Sequence, residues 1–215
     1  MIWTALSVSD YTFQCDTGKP SRLLIPVVEI FVDWLYTGTL PKEDSAWDDL
    51  SLKTDLAKVT EQTMVKVCAL ADRLLATSFS QAVEHKVISY FLSNEYEDAP
   101  PFYNTIILAF EILPQRSSIL TLLVDLHCEN YLEQHDSRNE GELPLRDQLP
   151  QEFLIRTMLR YSKILSSPPS RILNACDYHG HGSYEEREAC QDNEDARLRE
   201  RVAVIRKRID ALRIR

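Results

Sequence analysis

Hydrophobic positions along the chain fall into helical stripes divided by polar or proline-marked breaks. Within residues 27–40, Val28, Phe31, Val32 and Leu35 sit at i, i+3, i+4 and i+7, one face of a helix. Ile30 and Trp34 widen that face, so the spacing predicts a helix buried on more than one side. Gly38, after Thr37, is placed to take the left-handed conformation that ends a helix. Helical spacing returns at Met64, Val67, Ala71, Leu74 and Leu75. The run Ser78-Phe79-Ser80-Gln81 fits a capping box that opens a further helix, with Phe79, Val83, Val87, Tyr90 and Phe91 on its apolar face.

Beyond an acidic, proline-ended linker at residues 94–101, the pattern predicts helices over 103–113 and 117–131, parted at Pro114. The run SILTLLVDLH is apolar nearly all round, which predicts the central helix of a small bundle. Pro150 suits the first turn of another helix, running to about Leu165. Residues 41–56 and 133–149 are polar and read as loops, with Trp47 an apolar exception that would fold back onto the core. A linker follows from 166 to 192. From Asn193 a helix is expected, with Leu198, Val202, Ile205, Ile209 and Leu212 on a heptad seam flanked by Arg and Lys. That seam suits a partner-binding or dimerising helix better than a plain solvated end or a nucleic-acid arm. Residues 1–25 hold two short β-prone runs about the turn-like Asp16-Thr17-Gly18-Lys19-Pro20. The fold class expected is mainly α with a short β remnant.

Charge narrows the partners. The net charge of −9 hides an asymmetry: residues 1–190 carry 16 Lys and Arg against 28 Asp and Glu, and residues 191–215 carry 8 against 5. An acidic body opposes binding to nucleic acid, whose phosphates require clustered cations. No apolar run approaches the ~18 residues of a membrane span, and the N-terminus lacks the pattern of a secretory signal. Five scattered cysteines, an odd number, speak against a disulfide framework and for an intracellular, reducing setting, cytoplasmic or nuclear.

The residues FVDWLYTGTLP (31–41) resemble the F-x-x-W/F-L-Y-T-G segment of BTB/POZ domains, the fungal ones in particular. The segment VKVCALADRLLA resembles that family's Y-x-L-A-D-K/R-L/Y helix, here Val67 to Leu74. LxxLLVDL followed by LPxEFL is similar to a helical extension of fungal relatives, so the resemblance spans roughly residues 21–165. It implies the C-terminal half of a BTB/POZ domain at 26–92, after residual strands at 1–25. A helical extension at 93–165, the linker at 166–192 and a basic amphipathic helix at 193–215 would follow. Most of the family's N-terminal half, with its main dimer surface and most of its cullin-contacting loop, would be missing, an N-terminally truncated domain. The implied function is non-catalytic protein–protein interaction, as scaffold or adaptor, through a protein partner or self-association. Cullin-type ligases are among the partners the family implies.

Candidate chemistry is concentrated in C-x2-H-x-H-x8-C, at Cys176, His179, His181 and Cys190. Two thiolates and two imidazoles are a tetrahedral zinc set, and Gly180 and Gly182 would let the chain bend around an ion. The spacing is not that of a known zinc finger, and His-x-His requires extended backbone. The reading taken forward assigns no catalytic residue, no cofactor and no resident metal. A small zinc-binding regulatory protein using this cluster is its alternative. No glycine-rich phosphate loop or G-x-S-x-G elbow is present. Cys68 and Cys128 lie on apolar faces as core thiols. His85 and His127 read as structural or exposed, and Asp48-Asp49 and Glu185-Glu186 as solvated loop charges. An enzyme is not expected.

Overall fold

The computed structural model describes residues 25–41, 47, 56–93, 100–132, 142–166 and 173–213. Seven α-helices follow in order among them: α1 (Ile25–Thr37), α2 (Leu56–Leu74), α3 (Thr77–Phe91), α4 (Tyr103–Ile112), α5 (Ser118–Asn130), α6 (Gln151–Ser166) and α7 (Tyr184–Arg213). Short 3-10 turns at Leu143–Gln148 and Ala175–Asp177 precede α6 and α7. The described residues contain no strand, so the chain is mainly α, and the expected β-prone runs of residues 1–25 lie outside them. No described helix is long and apolar enough to cross a membrane.

The centre is built on α2 and α5. Along α5, eight of its thirteen residues are buried, from Ile119 to Cys128, as the all-round apolar run predicts. Only one narrow stripe, Ser118, Thr121, Asp125 and Glu129, is left for water or polar partners, so neighbours must cover the rest. It packs against α3, α4 and α6, while α2 packs against α1, α3 and α4. The main core joins Met64, Val65 and Val67 of α2 to Phe79, Val83 and Val87 of α3 and to Leu120, Leu122 and Leu123 of α5. A second cluster, Tyr103, Ile106, Val124, Cys128 and Phe153, lies beneath α6. Trp47 is fully buried, and its indole Nε1 donates to the Pro41 carbonyl at 3.3 Å, so this residue does fold back.

Three expectations are corrected. The inner face of α1 is Val27, Ile30, Phe31 and Trp34, and Phe31 and Trp34 each place a ring 5.0 Å from Phe79. Val32 and Leu35, assigned to a buried face, are exposed. The stretch is so rich in apolar residues that the same i, i+3, i+4, i+7 spacing fits a stripe begun one residue earlier. Among the described residues, α1 is covered on one side only. The capping box at Ser78 does not form. Leu75, at φ 51, ends α2 in the left-handed conformation, and α3 starts at once behind Ala76, which makes no side-chain cap. Ser78 is therefore already inside the helix. Lastly, α7 begins at Tyr184 rather than Asn193, so Glu185 and Glu186 occupy the first turn of a helix and not a loop.

Two buried carboxylates solve a problem at the start of α4. Its N-cap, Phe102, has no side-chain acceptor for the free amides that every helix leaves there. Glu61 of α2, wholly buried, accepts from the Phe102 N–H at 3.3 Å. Glu142, just before the 3-10 turn, accepts from the Tyr103 N–H, and its other oxygen meets Lys58 Nζ at 2.7 Å. Anionic acceptors are favoured at a helix N-terminus by the helix dipole as well.

Three substitutions test these features. Gly38, at φ 66, would meet no atom within 4 Å if it carried a Cβ, so Gly38→Ala probes the left-handed conformation alone. It should cost about 1–2 kcal/mol in denaturant unfolding, and an unchanged midpoint would refute the left-handed stop. Glu61→Ala should cost about 1.5–3 kcal/mol through the lost charged hydrogen bond. Glu152→Ala, which removes only the Arg156 partner on the surface of α6, should cost about 0.5 kcal/mol or less.

Candidate functional site

After α6 the chain returns to the body at residues 173–178. Leu173 packs on the main core, and Ala175 and Tyr178 are buried. The Tyr178 hydroxyl donates to Asp125 Oδ2 of α5 at 2.7 Å, and Arg160 of α6 meets the other oxygen of Asp125 at 2.8 Å. This segment is thus tied to two helices through one carboxylate. Burial, then the hydrogen bond to Asp125, holds the Tyr178 phenol above its usual pKa range, so it stays a donor.

The chain then turns twice within a few residues. Asn174 Oδ1 accepts from the Cys176 N–H at 2.9 Å and starts the Ala175–Asp177 turn. Residues 180 and 181 adopt neither helix nor turn, which allows His179 and His181 to face one point. Helix α7 is then opened by a variant of the capping box: Ser183 Oγ accepts from the Glu186 N–H at 3.1 Å, while Glu186 Oε2 reaches one residue past the cap and accepts from the Gly182 N–H at 2.7 Å. Because α7 starts there, Cys190 lies on its second turn, pointing back to the segment that carries Cys176.

One ligand atom each from Cys176, His179, His181 and Cys190 falls within 4.8 Å of all the others. The Cys176 thiol lies 3.2 Å from the Cys190 sulfur, and Cys190 Sγ lies 3.3 Å from His179 Nε2. The His179 and His181 rings meet edge to face with centroids 4.6 Å apart. His85 of α3 lies against His179, ring centroids 4.0 Å apart. The Nδ1 atom of His179 and both ring nitrogens of His181 are buried with no hydrogen-bond partner. Burial, with His85 and His181 alongside, lowers the His179 pKa to about 4, so this imidazole is neutral at physiological pH. Burial and the hydrogen bond to Cys190 push the Cys176 thiol up to about 12.

The other two described cysteines, Cys68 and Cys128, stand apart. Burial pushes the Cys128 thiol up to about 12 and raises that of Cys68 as well, which leaves no thiolate for nucleophilic attack. His127 is buried beside Tyr131 and Phe153. The side chains of the heptad positions Leu198 to Leu212 lie outside the described residues.

A second feature is the outer face of α6. Leu154, Ile155, Met158, Leu159 and Leu165 are all exposed, Met158 at 64% and Leu165 at 87%. Leu154, Met158 and Leu165 line a shallow groove with Tyr161 and Ser162. Sequence reasoning found this helix but not its unpartnered face, although the run of apolar pairs at 154–155 and 158–159 was visible. It also missed His85, for which no local signal exists, and the capping box, which the residues Ser183-x-x-Glu186 spell out.

No family model, curated protein or solved structure matches the chain.

Tyr178→Phe removes one hydrogen bond and leaves Asp125 with Arg160. It should cost about 1 kcal/mol and raise amide exchange across residues 173–182 well above that of α5. Unchanged protection there would show that Tyr178 does not hold the segment.

Proposed function

We propose that the chain is a non-catalytic protein-interaction module, of the BTB/POZ type its motifs resemble, and that it self-associates through the outer face of α6. The observation that carries this reading is the exposed stripe of Leu154, Ile155, Met158, Leu159 and Leu165 on a helix whose other side is packed on α5. Contiguous exposed apolar side chains of this kind mark binding surfaces.

The occupant we commit to is a second copy of the chain. A two-fold contact puts the same patch against itself, so the patch must complement itself. The stripe carries no charge; of the cations on α6, Arg156 and Arg160 are engaged within the chain, and Lys163 is exposed at its edge, where it can stay in water. Arg156 pairs with Glu152 and donates to the Gln115 carbonyl, while Arg160 meets Asp125 and Glu129. Two copies can therefore approach without stranding a charge. The raised thiol pKa values of Cys68 and Cys128 agree with a module that does no chemistry.

The test is oligomeric state against concentration. Wild-type protein is expected to be a dimer by light scattering in the micromolar range. Met158→Glu, at a position exposed in the monomer, should leave the helical content unchanged. It should weaken the dimer by about 2 kcal/mol, roughly thirtyfold. A monomeric wild type, or a Met158→Glu variant that dimerises as before, overturns the assignment of this face to self-association.

A further inference from the structure

We propose that Cys176, His179, His181 and Cys190 bind one zinc ion, which fixes the root of α7 to the helical body. The four residues come from two elements, the irregular segment 176–181 and the second turn of α7, and their ligand atoms meet within 4.8 Å. Around a tetrahedral zinc, sulfur–sulfur edges are about 3.8 Å and sulfur–nitrogen edges about 3.6 Å. The observed 3.2 and 3.3 Å separations lie within about half an ångström of those edges, a rotamer adjustment rather than a refolding.

The donor atoms name the metal class. Two thiols with two imidazoles suit zinc, whereas magnesium, calcium and manganese take oxygen. A disulfide between Cys176 and Cys190 would use the sulfurs but would leave the histidines without a purpose. His181 is the second, independent observation: both its ring nitrogens are buried with no hydrogen-bond partner, and one of them can take the ion. Buried polar atoms are almost always satisfied, and a group left bare calls for a ligand. With four protein ligands the ion has no open position, so its role is structural.

What it would hold follows from the neighbours. Tyr178, between two of the ligands in sequence, is bonded to Asp125 of α5, and His179 is backed by His85 of α3. The body therefore presents Cys176, His179 and His181 as a fixed half-site. Cys190 completes it from α7, and the bound ion becomes the joint between bundle and helix.

The test uses the full chain, reduced and stripped of metal, titrated with Co2+ and then Zn2+. One Co2+ per chain is expected, with the visible bands of tetrahedral coordination and thiolate charge transfer, displaced by one equivalent of Zn2+. Cys176→Ser and Cys190→Ser should each bind Co2+ at least tenfold more weakly, and Cys68→Ala should retain a full equivalent. A readout independent of variants is alkylation of the native wild type: Zn2+ should protect Cys176 and Cys190, mapped by mass spectrometry. No uptake of Co2+ by the reduced wild type overturns the proposal. So does an octahedral spectrum, or labelling of both cysteines that is indifferent to Zn2+. The Met158→Glu variant should bind metal as the wild type does, so this result and the dimer test stand or fall separately.

Discussion

A helix with only one narrow polar stripe has to be enclosed on every other side, and α5 imposes that condition on everything around it. Its buried residues, from Ile119 to Cys128, cover all of the circumference but one narrow stripe, Ser118, Thr121, Asp125 and Glu129, of which Thr121 and Glu129 are exposed. Burying one large aliphatic side chain stabilises by about 1.5–3 kcal/mol, so each uncovered position on α5 would be felt. The chain meets the demand from several directions: α3 and α4 contact it, α6 crosses the side that holds Val124 and Cys128, and the segment at 173–178 reaches it through Tyr178. The residues after α6 are thus drawn back to the body by the same helix that organises the bundle. The site on them exists because α5 offers Asp125 on its polar stripe.

Enclosure creates a second obligation. Packing α4 between α2 and α5 brings its N-terminus away from water, where free amides are costly unless they find acceptors. Neither Phe102 nor Pro101 offers a side-chain oxygen, so the acceptors come from far along the chain, Glu61 and Glu142. An acid buried at the start of a helix is compensated by the dipole and by amide donors, and Glu142 additionally by Lys58. Two of the most buried charges in the described structure are therefore consequences of how α4 is packed rather than signs of acid–base chemistry.

What was legible in the sequence was local. The stop at Gly38, the mostly apolar α5, the break at Pro114 and the start of α6 after Pro150 each depend on a few neighbouring residues, and each stands in the structure. The face of α1 was misread because nearly every position of that stretch is apolar, so periodicity admits two registers and only the packing partner selects one. The start of α7 was misread for the opposite reason. Its first turns are acidic and carry no apolar stripe, yet the Ser183–Glu186 capping box marks the boundary by itself. The Cys/His set was legible as a list of residue types. Its convergence was not, because it depends on Cys190 lying on a helix whose start had been set too late. His85 was beyond reach, since its contact with His179 joins positions separated by the whole bundle.

The same geometry explains why the root of α7 matters. This helix has 30 residues and would extend about 45 Å, and its principal contact with the rest of the described structure is the Ala175–Asp177 turn. An isolated helix in water gains little from packing and depends on propensity and caps. The capping box sets where α7 begins, but a cap fixes only the first turn and not a direction. Direction requires a second attachment further along, and Cys190 is placed about two turns beyond the cap residue Ser183, facing a segment that Tyr178 already ties to α5. Two points on one rigid rod determine its axis. Whatever the far end of α7 engages, its position relative to the α6 face is therefore decided within the few residues between Cys176 and Cys190.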